Sequence, residues 1–129
     1  MKPPRGSARG PALGPMLVGT ASGLVWTLAV AGLVAFLVCL TPFSEAAAGP
    51  IISTAAVLAT VVAGFVAGRR SSELGWFHGA GAGLLYAVAT LVLGAVAFSS
   101  RGSLAWTMFK LAMGTAGGII GGVMGINSR

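Results

Sequence analysis

Acidic side chains are nearly absent: Glu45 and Glu73 are the only two, beside one histidine, one cysteine and one tyrosine in 129 residues. Two isolated carboxylates make no acid–base pair, one His cannot assemble a metal site, and no Ser or Cys has a base at a recognisable spacing. Enzymatic activity is therefore not expected, and neither is a metal or other cofactor. Cys39 alone excludes an intrachain disulfide; in an apolar run it reads as a small packing residue. Charged residues reach only 8%, against about 25% in soluble domains. That is too few to coat a water-soluble globule, which excludes a cytosolic enzyme, a disordered tail and a coiled coil.

What the chain has instead is apolar length: 56% hydrophobic residues, 21 glycines and a mean hydropathy of +0.93. A bilayer core about 30 Å thick requires roughly 20 apolar residues per spanning helix. Four runs meet or approach that length, from about Met16 to Leu40, Ile51 to Gly68, Gly75 to Phe98 and Ser103 to Ile126. The second is short, because Thr41-Pro42 and Gly49-Pro50 read as turn signals bracketing the first gap. The expected fold is an all-α integral membrane bundle of four transmembrane helices over residues 15–127. Its gaps are short, so consecutive helices run antiparallel.

Basic residues outnumber acidic ones, giving a net charge of +6. They fall at chain ends and in gaps, as topology signals do, and not on one face as in nucleic-acid binders. Lys2, Arg5, Arg9, Arg69, Arg70 and Arg129 would share one side, leaving Arg101 on the other, with Lys110 just inside the fourth helix. This bias places both termini in the cytoplasm and residues 1–14 as a disordered basic leader near anionic lipid. A cleavable signal ending at Ala46-Ala47-Ala48 is disfavoured, since its apolar stretch should span only about 7–15 residues.

Without a hydrophobic force between helices in lipid, association depends on close contact, which small residues four apart permit. Gly19 and Gly23 continue to Thr27 in the first run, and Ala56, Thr60, Gly64 and Gly68 form a row in the second. Gly75, Gly79 and Gly83 share a face with Tyr86 and Thr90 in the third. In the fourth, Gly114, Gly118 and Gly122 lie beside Gly117, Gly121 and Gly125, all within an arc of about 140°. These rows are candidate helix-packing seams, with a sliding or gating seam as the sharper alternative. Neither glycine cluster satisfies G-x-G-x-x-G or carries the Lys-Ser/Thr of a phosphate loop.

A shift of 60 residues aligns Gly19, Gly23, Leu24 and Trp26 with Gly79, Gly83, Leu84 and Tyr86. A shift of 61 aligns Ala56, Thr60 and Gly64 with Gly117, Gly121 and Gly125. Two tandem hairpins related by an axis along the membrane normal would explain this, as would chance matching between Gly-rich and Ala-rich helices. Ionisable residues inside a membrane are functional candidates, here His78 and Lys110. Lys110 has a bland reading as a snorkelling side chain, His78 as an interfacial anchor, and Tyr86 as a structural residue whose hydroxyl seeks a neighbouring Thr.

The stretch Gly64 to Gly68, the pattern Gly75-Trp76-x-x-Gly79-x-x-x-Gly83-x-x-Tyr86, and Gly121-Gly122-x-x-Gly125-x-Asn127 together resemble the YrzE-like family of small four-helix bacterial membrane proteins, common in Firmicutes. The resemblance covers roughly residues 15–127 and implies a plasma-membrane location without an assigned activity. Its expected partners are the lipid bilayer and a second copy or another membrane protein, with no nucleic acid. The leading expectation is a structural or interaction component, and the alternative is a small channel or transporter component.

Overall fold

The computed structural model describes residues 12–42, 44–99 and 102–129. Most of the basic leader, with Lys2, Arg5 and Arg9, lies outside the described residues, as does Arg101. Four helices follow in order: α1 Leu13–Leu40, α2 Glu45–Arg70, α3 Gly75–Phe98 and α4 Leu104–Asn127. Each is long and apolar enough to cross a membrane, so the chain is an all-α, multi-pass membrane bundle. At the helical rise, α1 is about 42 Å long and α3 and α4 about 36 Å, which exceeds the hydrocarbon thickness. Leu13 and Gly14, expected in the leader, already belong to α1.

The second helix differs from the sequence expectation. It begins at Glu45 and runs through Gly49 and Pro50, where a turn was expected. Pro50 is the sixth residue of α2, just past the first turn, whose N–H groups need no helical partner. It therefore frees only the Ala46 carbonyl, at an exposed helix end. Glu45 in the first turn and Arg69 and Arg70 in the last match the helix dipole at both ends.

Helices α2 and α3 touch each other, and each also packs against α1 and α4; among the described residues α1 and α4 do not touch. A two-fold axis relating the α1–α2 hairpin to the α3–α4 hairpin would pair α4 with α1 as it pairs α2 with α3. The packing lacks that symmetry.

Burial is confined almost entirely to one half of the bundle. Buried positions run from Met16 to Gly23 on α1, Ala55 to Gly68 on α2, Gly75 to Ala87 on α3 and Gly114 to Gly125 on α4, with Val34 as the outlier in a helix. This half carries the α2–α3 turn and the exposed Arg69, Arg70 and Arg129. The opposite half is loose: Val96, Phe98 and Leu104 are 75–79% exposed. A Cβ added at Gly32 or Gly94 would meet nothing within 4 Å. An apolar cleft separates Trp26 and Val30 of α1 from Pro50, Ile51 and Leu58 of α2. Cys39 is exposed there, so it is not the packing residue expected from sequence.

Pro50→Ala would restore the missing ladder bond without filling the packed half. The variant is expected to unfold at a higher temperature in detergent, with a gain of about 1 kcal/mol, measured by circular dichroism.

Candidate functional site

The packed half brings the glycine rows together, and each row meets a specific partner. On α4, Gly114, Gly118 and Gly122 face α3. A Cβ on Gly118 would collide with the Gly79 carbonyl and lie 3.0 Å from the Gly83 Cα; one on Gly122 would meet the Gly75 carbonyl and the Gly79 Cα at 2.9 Å; one on Gly114 would meet the Ala87 Cβ at 2.7 Å. From α2, a Cβ on Gly64 or Gly68 would strike the backbone of Gly118 or Gly122, with Cα atoms at 2.8 and 2.9 Å. Gly118 and Gly122 are therefore points where three backbones converge. The second row of α4 faces α2: Gly117 against Thr60, Gly121 against Val61 and Phe65, Gly125 against Phe65 and Arg69. Gly75 also abuts Ile126, whose Cβ would lie 2.8 Å away.

The first helix is seated on alanines. A Cβ on Gly19 would lie 2.9 and 3.1 Å from the Ala67 and Ala82 Cβ atoms, and one on Gly23 would lie 3.0 Å from the Ala63 Cβ and 3.1 Å from the Tyr86 ring. Ala63, Ala67 and Ala82 are fully buried together. The sequence reading misses this second row of α2, Ala55, Ala59, Ala63 and Ala67, although its four-residue spacing is visible beside the Thr60–Gly64–Gly68 row. The contacts also equate the two hairpins differently from the sequence shifts. Gly19 meets the Ala63 carbonyl and Ala67 as Gly79 meets the Gly118 carbonyl and Gly122, and Gly23 meets Ala59 and Ala63 as Gly83 meets Gly114 and Gly118. Ala63 and Ala67 thus correspond to Gly118 and Gly122, an offset of 55 and not 61.

Polar contacts tie α1 to α3. Thr20 Oγ1 donates within α1 to the Met16 carbonyl at 2.9 Å and also lies 3.2 Å from the Ala82 carbonyl. Thr27 Oγ1 donates to the Gly23 carbonyl at 3.0 Å, so the Tyr86 hydroxyl, 2.6 Å away, is the donor to Thr27. Tyr86 is 2% exposed, and this bond satisfies a hydroxyl that would otherwise be costly at that depth. His78 is buried, with Nδ1 3.1 Å from the Leu74 carbonyl and Nε2 3.2 Å from the Ala12 nitrogen.

Lys110 lies away from these groups. It is exposed in the loose half, with Nζ 5.8 Å from the centroid of Trp106, which in turn stacks on Phe109. Its helical phase matches Gly114, but α4 enters the packed zone only one turn later, at Gly114. Ser103 caps that end of α4 by accepting from the Trp106 N–H at 3.3 Å. His78 and Lys110 are therefore at opposite ends of the bundle and cannot act on one group. Among the described residues no three of His, Cys, Asp and Glu gather as metal ligands.

Gly118→Ala and Gly121→Ala are expected to lower stability by about 1–3 kcal/mol, the overpacking range, whereas Gly32→Ala and Gly94→Ala leave it unchanged or raise it by up to about 1 kcal/mol. Unfolding titrations in mixed micelles measure both. Tyr86→Phe should lose about 1 kcal/mol, and a cycle with Thr27→Val should show that the loss belongs to their shared bond.

No curated protein and no solved structure gives a significant match to the chain. The family model described as protein of unknown function DUF3792 matches residues 12–125, which takes in the first three helices, all but the last two residues of α4 and every glycine of the seam, and the chain belongs to that family.

Proposed function

We propose that this chain is a non-enzymatic structural or interaction component of a bacterial plasma membrane, with its packed half and both termini on the cytoplasmic side. The basic residues support the orientation: Arg69, Arg70 and Arg129 are exposed at the packed end, as the excess of Lys and Arg in cytoplasmic loops requires. The resemblance to YrzE-like proteins supports the membrane and the source.

The observation that carries the interaction reading is the division of the bundle into two halves. The glycine rows of α4 are occupied by α2 and α3 of the same chain, so a glycine seam between chains is not what a partner would use. The loose half instead presents Val96, Phe98, Leu104 and Phe109, together with Lys110 beside Trp106. Large side chains on separated helices fit a second copy or another membrane protein whose helices complete the packing there. A channel or transporter component, the rival, would need a path along the glycine seam. Each seam glycine has a backbone or side-chain neighbour at contact distance, which favours the interaction reading over a path along the seam.

Photo-crosslinkers placed at Val96, Leu104 and Ala63 in native membranes test the proposal. Crosslinks to a protein from Val96 or Leu104 and none from Ala63 are expected; monomer alone from all three would remove the partner. A cysteine at position 129, in a Cys39→Ala background, is expected to react with an impermeant thiol reagent only when the cytoplasmic face is opened.

A further inference from the structure

His78 is 6% exposed and sits in the first turn of α3, and both ring nitrogens are engaged in ways that define its proton. Leu74 offers a carbonyl, which only accepts, so Nδ1 carries the hydrogen. Ala12 offers a backbone N–H, which only donates, so Nε2 is bare. The neutral Nδ1–H tautomer is the form that makes both contacts as hydrogen bonds.

The two partners are themselves unusual. Ala12 is the N-cap of α1, with no side chain able to cap it, and its N–H is of the kind that a capping-box side chain ordinarily satisfies from within its own helix. Here the acceptor comes from α3, 66 residues away. Leu74 precedes α3 in the left-handed region at φ 54°, a strained conformation for a bulky residue. Its carbonyl also accepts from the backbone N–H groups of Phe77 at 3.0 Å and His78 at 3.1 Å.

From this arrangement we infer that His78 is a proton-operated latch, which holds the start of α1 against α3 when neutral and releases it when protonated. A proton added at Nε2 turns the acceptor for Ala12 into a second donor, so that N–H faces N–H. The Nδ1 bond to Leu74 survives, so only the α1 link switches. The new positive charge would also stand at the N-terminal ends of both α1 and α3, where helix dipoles disfavour it. Among the described residues, the charged groups at this end are Arg69 and Arg70 closing α2, Glu73 in the turn and Arg129 after α4; all are exposed, and Arg69 turns over the Phe65 ring. Helix α1 itself has no ionisable side chain before Cys39 at its far end. Release is local, because Gly19, Thr20, Gly23 and Thr27 continue to hold α1 further along. What changes is whether Ala12, at the start of α1, is tied to α3.

The full chain in lipid nanodiscs tests this, with a spin label on Ala12→Cys in a Cys39→Ala background, which keeps the backbone N–H. Between about pH 8 and about pH 5, the range over which histidine acts as a switch, the immobilised component of the spectrum is expected to be lost reversibly. A label at Val96→Cys should not respond. Glu73→Gln should keep the transition and His78→Gln should abolish it; persistence in His78→Gln, or no transition in the parent, overturns the latch. Because the chain has one histidine, its ring nitrogens can also be read without substitution by ¹⁵N NMR. The Nδ1–H tautomer at alkaline pH supports the proposal, and the Nε2–H tautomer refutes it.

Discussion

Close approach of three backbones at Gly118 and Gly122 is the constraint on which the rest of the bundle depends. Lipid tails are as apolar as leucine, so burying aliphatic side chains between helices gains little in a membrane. Cohesion must come from contact distance. Gly64 and Gly68 bring α2 onto α4 at the same two residues where Gly75, Gly79 and Gly83 bring α3. A side chain at either node would push two helices away from α4 at once. Because α2 and α3 are joined by a turn of four residues, Ser71–Leu74, the separation would also strain that turn, already held by the Leu74 backbone in the left-handed region.

The two outer helices are attached by different chemistry. For α4 it is backbone contact on two glycine rows, which has one geometry and little tolerance. For α1 it is an alanine row on α2 together with polar contacts to α3 from Thr20, Thr27 and the N–H of Ala12. Interhelical hydrogen bonds in membranes contribute modestly, on the order of 1 kcal/mol each, and each can exchange its partner. The fourth helix is therefore a fixed part of the bundle, and the first is the one whose position is set by groups that can change state.

The spans were legible in the sequence because length and apolarity are properties of a single segment. Spacing of four was legible for the same reason, and it marked the faces that α2, α3 and α4 bury. Partner choice was not legible: nothing local distinguishes the Ala55–Ala67 row, which seats α1, from the Thr60–Gly68 row, which seats α4. Pro50 misled because a proline inside a helix and one at its end look alike until the first turn is placed. Cys39 was misjudged, since an apolar run says that a residue lies in a helix but not whether a neighbouring helix covers it. His78 was legible as an ionisable group in an apolar run, whereas its link to Ala12, 66 residues away, depends on two helices packing side by side with their N-terminal ends level.

The placement of polar groups follows from this division. Thr20, Thr27, Tyr86 and His78 lie in the half where neighbours are close enough to satisfy them, and they all serve the α1–α3 contact. Lys110 lies in the loose half, where no packed neighbour could accept a charge but an aromatic face and nearby headgroups can. A half held by backbone contact can carry buried polar bonds because its helices lie close enough for donors to reach acceptors on the neighbouring helix. A half without that contact can carry only groups that reach water or another molecule. The same glycine rows that exclude side chains from one end of the bundle thus decide which end can hold a buried histidine and which end leaves large apolar side chains exposed.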